Sequence, residues 1–450
     1  MRNKSGNFKK NLSSIIWLFI LVTGLGFSLY DMITPYTFKS INENSLLEAA
    51  KARILKIRRG TYSLEFGSEF ANKSIYIRQL SHAFKFGANT FNYNRSGNPL
   101  IDQIYTEYFS KMFNYGVVPF YWRTYQPKKD EENIEWQLYL HNITAWLSSF
   151  NATPKGHPII WEHVPSLPLW LNDVENKTDA ALERIEKVLL AFPEIKIWDL
   201  VNEMTHLNNT LLGKNAVETW EVALAKARSV RPDCEFIANE YDTVGPGDAA
   251  TMSHDGGKFY KFVEKIVADG FAPNALGFQF HCITEFHSLQ DIIDTFDSFG
   301  RFKIPCHITE FIPASKGYYT SGVRRGLITE QSQAEWAVRA YTMLFSHPAI
   351  YSIVWWDLCY YHSWKPELGA YMIDQNGRIL PVYNALYNLI HVEWNSTGIY
   401  QLDEYGSINF TGFYGDYEAI IEGEGPSIRF SIQDLRSKEN KPWRIDEILC

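Results

Sequence analysis

From His82 onward the chain alternates between two rhythms. Short apolar runs bounded by polar or turn residues read as buried strands. They fall at Phe84–Asn89, Gly116–Tyr121, His157–Glu162, Lys196–Val201, Glu235–Glu240, Ala275–His281, Ile304–Glu310 and Tyr351–Asp357. Between them lie stretches whose apolar residues recur every three or four positions, the spacing of a helix with one buried face. These are Leu100–Phe113, Ala180–Ala191, Ala216–Val230, Gly257–Ala268, Leu289–Phe299 and Gln331–Phe345. Eight strands alternating with helices predict an α/β fold, a (β/α)8 TIM barrel with a rim at the C-terminal ends of its strands. An open doubly wound sheet is the rival arrangement, but no glycine-rich phosphate loop follows the first strand.

The flanks carry a different pattern. Leu46, Leu47, Ala50, Ile54 and Ile57 predict a helix over Ser45–Arg58. Tyr62, Leu64 and Phe66, then Ile75, Ile77 and Leu80, are close to period two and predict strands. Strand patterns return after Trp394, at Ile408–Phe410, Tyr417–Ile421 and Ile428–Ile432. The two flanks are expected to meet in a small β-module on the barrel. The division is then residues 1–14, a basic tail; 15–30, an apolar segment; 31–81, linker, helix and first module strands; 82–394, the barrel; and 395–450, the remaining module and a tail from Ser437.

Charge sharpens the reading of the N-terminus. Arg2, Lys4, Lys9 and Lys10 precede an uncharged, mainly apolar run from Ile15 to Tyr30. That is the layout of a signal peptide or signal anchor. We expect an uncleaved type II anchor, with the bulk of the chain lumenal or extracellular, or a secreted protein if the signal is cleaved. Asn72, Asn94, Asn142, Asn151, Asn176, Asn208, Asn395 and Asn409 each begin an Asn-x-Ser/Thr triplet, which suits a glycosylated protein of that route. The five cysteines are widely spaced and form no CxxC pair, so they outline neither a zinc site nor a disulfide framework. One or two bridges remain open. A net charge of −8 and the lack of a basic stripe argue against a nucleic-acid partner.

The candidate chemistry sits at the predicted rim. Strand four ends in Asn202-Glu203 and strand seven ends in Glu310. Two carboxylates brought to one barrel mouth are what glycoside hydrolysis requires: one attacks the anomeric carbon and one protonates the leaving oxygen. Asn202 offers an amide to a sugar hydroxyl. His281, beside Gln279 at the end of strand six, is placed to orient Glu310. His157 and Trp161 lie on strand three and Tyr241 ends strand five. Trp355 ends strand eight and Trp364 follows in its loop, flat faces for pyranose rings. Trp198, early in its strand, is expected in the core. This chemistry needs no metal and no cofactor.

These motifs resemble glycoside hydrolase family 10, the endo-β-1,4-xylanase family. Trp198-Asp199-Leu200-Val201-Asn202-Glu203 is similar to its acid/base motif and Ile308-Thr309-Glu310 to its nucleophile motif. Gly156-His157-Pro158-Ile159-Ile160-Trp161 and Gly277-Phe278-Gln279-Phe280-His281 resemble its strand-three and strand-six motifs. Trp355 and Ser363-Trp364 match its two cleft tryptophans, and Pro381–Leu386 its final helix. The resemblance spans roughly residues 50–435 and implies a retaining hydrolase of β-linked, xylan-like polysaccharide. Glu310 would be the nucleophile and Glu203 the acid/base. The pattern also departs from the family. Val117–Arg123 lacks the Glu, Asn and Lys of the second-strand motif, Glu162 stands for a His, and Val164 for a Gln. Ile312-Pro313 replaces an Asp-containing stretch, and Trp356 a Gly. Two rivals share the residues: a carbohydrate-binding surface protein that has lost catalysis, and a transglycosylase.

Overall fold

The eight barrel strands are β1 (Lys85–Asn89), β2 (Tyr115–Pro119), β3 (Thr153–His157), β4 (Ile197–Asn202), β5 (Glu235–Tyr241), β6 (Ala275–Gln279), β7 (Cys306–Pro313) and β8 (Ile350–Trp355). Each pairs in parallel with the next and β8 pairs with β1, so the sheet closes on itself. The coordinates are a computed structural model that describes residues 41–249, 255–422 and 427–433. The predicted apolar segment at 15–30, the tail from Ser437 and Cys450 lie outside the described residues. Among the described residues no helix is long and apolar enough to cross a membrane.

The strands are buried on both faces, as a covered parallel sheet requires. Inward side chains such as Tyr115, Val117, Ile197, Ile237 and Val354 fill the barrel. Outward ones such as Val118, Leu200, Phe236 and Phe278 meet the helices. Six helices start on a side-chain cap: Asn98, Asn133, Asn176 and Asn215 each accept a backbone N–H of the first turn, and Ser288 and Thr329 form capping boxes. The β2–β3 crossover carries a helix, Ile134–Ser149, that the expected set did not include.

Strand three differs from its expected bounds. It starts at Thr153, and the chain then bends at Pro158 before Ile160–Trp161 rejoins the sheet beside β4. The stretch Thr153–Gly156 has no apolar pattern because of what each residue meets. Lys155 points into the barrel, where its Nζ lies 2.6 Å from Asp199. A Cβ on Gly156 would sit 2.0 Å from the Trp198 ring, so only glycine lets that buried tryptophan pack.

The flanking segments fold together from both ends of the sequence. Gly398–Gln401, Ser74–His82, Gly415–Ile421 and Ile428–Ile432 form a four-stranded sheet, and Arg59–Glu65 pairs with Ser407–Phe413. Their shared core includes Ile75, Ile77, Phe410, Tyr417 and Ile432. Cys234, Cys282, Cys306 and Cys359 are buried free thiols, so no bridge forms among the described residues.

The helix Ile41–Ile57 lies along the barrel's outer wall, and Arg58 fastens its end. The buried Arg58 guanidinium donates to the carbonyls of Phe345, His347 and Ile350 at 2.7–2.8 Å. It also lies 4.7 Å and 5.0 Å above the rings of Phe84 and Phe345. Removing it would take a donor from three buried carbonyls, of which that of His347 keeps the Ile350 N–H, and a buried acceptor left unmet costs about 1–3 kcal/mol. Arg58→Met should therefore lower the unfolding free energy by about 3 kcal/mol, read as a lower urea midpoint at unchanged m-value.

Candidate active site

Glu203 follows a break in strand register and Glu310 lies within one. On β4, Asp199 pairs with Ile237 but Val201 pairs with Ala238. On β7, Ile308 pairs with Ile353 but Phe311 pairs with Trp355. Such a slip reverses which side chains face the interior. Asp199 faces in, Leu200 and Val201 both join the outer core, and Asn202 faces in again. On β7, Thr309 and Glu310 both face in, before Phe311 packs outward. Glu203 then leaves the strand at φ 59, held by its N–H to the carbonyl of Asn239 at 2.8 Å. Non-glycine residues in this region are uncommon and cluster at functional sites.

Each carboxylate has its own set of donors. Trp161 Nε1 donates to Glu203 Oε2 at 2.7 Å, and Gln279 Nε2 donates to Oε1 at 3.0 Å. Burial pushes the Glu203 carboxyl up, and the negative charge of Glu310 pushes it further; the two hydrogen bonds only partly oppose this. Glu310 accepts from His281 Nε2 at 3.0 Å and from Asn239 Nδ2 at 3.4 Å. His157 Nε2 stands 4.0 Å from its Oε1.

A row of amides joins the two. Asn202 Oδ1 accepts from Asn239 Nδ2 at 2.7 Å and from Gln279 Nε2 at 3.2 Å. Thr309 Oγ1 donates to Asn239 Oδ1 at 2.6 Å. Gly277 makes room for this: a Cβ there would lie 2.3 Å from Asn239 Oδ1. Beneath the row, His157 Nδ1 donates to Asp199 Oδ2 at 2.7 Å. Burial raises the Asp199 carboxyl, but Lys155 and His157 outweigh it and hold the group below its ordinary value.

The remaining walls are aromatic. Glu203, Glu310, Asn202, His157, Trp161, Gln279, His281, Tyr241 and Trp364 all line one cleft of about 730 Å3. Trp364 faces His281 at 4.8 Å between ring centres, and Tyr241 stacks on His206 at 3.9 Å. Trp355 does not reach the cleft, against expectation. It is 0% exposed, packs on Phe311 and donates Nε1 to the carbonyl of Asp357. The sheet alternates, so it is Trp356 that turns inward, 5.4 Å from His157 and 5.1 Å from Phe91. Phe91, Tyr121, His163, Trp356 and Asp357 also line the cleft; sequence reasoning had noted Trp356 and the stretch holding Tyr121 only as departures from the family pattern and had proposed none of the five as site residues. Burial pushes the Asp357 carboxyl up to about 6, with the Glu310 charge adding to it.

Two departures from the family pattern have a structural account. Glu162 accepts the backbone N–H groups of Thr210 and Leu211 at 2.8 and 3.2 Å, so it clamps the loop after Glu203. Val164 is 76% exposed on a short turn and lies outside the cleft lining.

A closed parallel barrel with two carboxylates, amides and indoles at one mouth defines a class of carbohydrate-active barrel. Residues 78–389 match the family described as Glycosyl hydrolase family 10, and the chain belongs to that family. It is 19% identical over 420 residues to endo-1,4-beta-xylanase 2 of Arabidopsis thaliana, covering 91% of this chain and 37% of that protein. It is 21% identical to endo-1,4-beta-xylanase 1 of the same plant, covering 92% and 42%. The chain thus spans about two fifths of the length of these relatives. The structure of xylanase 10B from Thermotoga petrophila RKU-1 in complex with xylobiose superposes with a TM-score of 0.57 at 20% identity, over 69% of this chain and 95% of that one.

The opposing effects on Glu203 can be separated by carboxyl 13C titration. Glu310→Gln removes the neighbouring charge and should move the Glu203 midpoint down. Trp161→Phe removes a donor to the carboxylate and should move it up.

Proposed function

We propose that this chain is a retaining β-glycosidase acting on xylan-like, β-1,4-linked polysaccharide by double displacement. The single observation that carries the reading is the contrast between the two carboxylates. Glu203 is raised by burial and by its partner's charge, as a proton donor should be. Glu310 instead has imidazoles beside it, accepting from His281 Nε2 with His157 Nε2 at 4.0 Å, a setting that suits an attacking carboxylate. The names of the relatives, endo-1,4-beta-xylanases, support the substrate class.

In the first step a Glu310 oxygen bonds to the anomeric carbon as the glycosidic C–O bond breaks. The departing oxygen takes the proton of Glu203. In the second step the Glu203 carboxylate accepts a proton from water, and the water oxygen bonds to the anomeric carbon. The ester to Glu310 breaks and both groups return to their starting states. Positioning falls to the neighbours. His157 turns Nδ1 to Asp199, which leaves Nε2 as the ring nitrogen facing a sugar hydroxyl. Asn202 has both acceptor sites of Oδ1 taken and leaves Nδ2 as its donor. Trp161, Tyr241 and Trp364 offer ring faces to the sugar.

A secretory setting belongs to the same proposal. Seven of the eight sequon asparagines after the predicted anchor are exposed, Asn395 is half-buried, and Asn72, Asn94 and Asn151 sit in left-handed turns. Protein from a eukaryotic host should lose mass on enzymatic N-deglycosylation; an unchanged mass removes this part.

Glu203→Ala should lower turnover of xylan by roughly 10²–10⁴-fold, and Glu310→Ala should abolish it. Proton NMR of the first product should show the β-anomer. Full activity in both variants would overturn the assignment, and an α-product would replace double displacement by inversion.

A further inference from the structure

Asp357 takes no part in the reaction above, yet it sits against it. The chain turns sharply after β8, with Trp356 facing inward and Asp357 at φ 69. The Asp357 carboxylate is 1% exposed. Its Oδ1 accepts from Asn89 Nδ2 on β1 at 2.8 Å. Its Oδ2 accepts the backbone N–H of Trp364 at 2.7 Å and the Ser363 hydroxyl at 3.3 Å. A group fixed at the rim therefore grips the backbone seven residues further on. That is the point where an irregular loop presents the 48% exposed Trp364 to the cleft. The Trp364 ring lies 4.8 Å from His281, and His281 Nε2 donates to Glu310. The contacts run without a gap from Asp357 through Trp364 and His281 to Glu310.

We propose that Asp357 is a positioning residue: its buried carboxylate fixes the loop that presents Trp364, and through Trp364 it sets His281 against Glu310. The effect on rate rests on the glycosidase reading; the effect on the loop does not. Three donors converge on the two oxygens of this carboxylate. In Asp357→Asn the amide oxygen keeps the Trp364 N–H when its NH2 turns to Asn89 and the Asn89 amide flips, since Asn89 Oδ1 has no partner of its own. Asp357→Ala removes the acceptor altogether and leaves the Trp364 N–H unmet, which is costly where it is buried.

The test uses the full chain and two independent readouts. In Asp357→Ala, amide hydrogen exchange of a peptide covering residues 358–366 should quicken at least about tenfold, with near-ultraviolet dichroism showing an intact core. Hydrolysis of an aryl β-xyloside should fall about 10–100-fold in kcat/KM. In a Trp364→Ala background, adding Asp357→Ala should change kcat/KM less than about twofold, because the two act through one contact. Asn89→Asp combined with Asp357→Asn keeps a donor–acceptor pair across β1 and β8, and its exchange should stay close to that of the unmodified chain. Unchanged exchange in a folded Asp357→Ala would overturn the proposal. If that variant does not fold, failure of the exchanged pair to protect the segment would overturn it. Fully multiplicative losses in the double variant with Trp364→Ala would overturn the link to Glu310. An unmodified chain that hydrolyses nothing, with the exchange results as expected, would sink the glycosidase reading and leave the loop assignment standing.

Discussion

Two carboxylates at one barrel mouth are held in place by a row of three amides. Asn202 Oδ1 takes a hydrogen bond from Asn239 and another from Gln279. Those same two nitrogens reach Glu310 and Glu203. Strands β4, β5, β6 and β7 are thereby locked to one another at the level where a bond would be broken. The row is buried, where each dipole acts in a low dielectric and an unmet donor or acceptor is expensive. Spacing and polarity of the pair are set together: the tie that fixes where Glu203 stands also limits how far burial raises its carboxyl.

The barrel itself was plain from the alternation of apolar runs with helical spacing. Its strand ends were less plain, and the reason is local. Thr153–Gly156 looked like a loop because Lys155 and Gly156 answer to Asp199 and Trp198, partners far off in the chain. The two slips in register were invisible, since a bulge adds a residue without changing composition. They decide that Asn202 and Glu310 face inward. For the same reason Trp355 was placed at the mouth: two adjacent tryptophans cannot be told apart until the pleat says which side each takes.

The site shows the same division. Residues that come as motifs, such as Asn202-Glu203 and Gln279-x-His281, were readable because one strand end delivers them together. Phe91, Tyr121, His163 and Asp357 arrive singly from loops of different strands, and only the closed barrel gathers them. Glu162 was legible only as a departure from the family pattern. It accepts the N–H groups of Thr210 and Leu211 in the segment after Glu203, so its work is in the scaffolding of the mouth.

The helix Ile41–Ile57 has a direction as well as a place. Near its start, Glu43 accepts the N–H of Leu289, where a barrel helix begins on the rim side. Beyond its end, Arg58 bonds Ile350, the first residue of β8, on the opposite side. The polypeptide therefore enters the folded body beside the open mouth and runs down to the closed floor. The helix is thus a strut on the outside of the barrel, tying the level of the mouth to the level of the floor along one side.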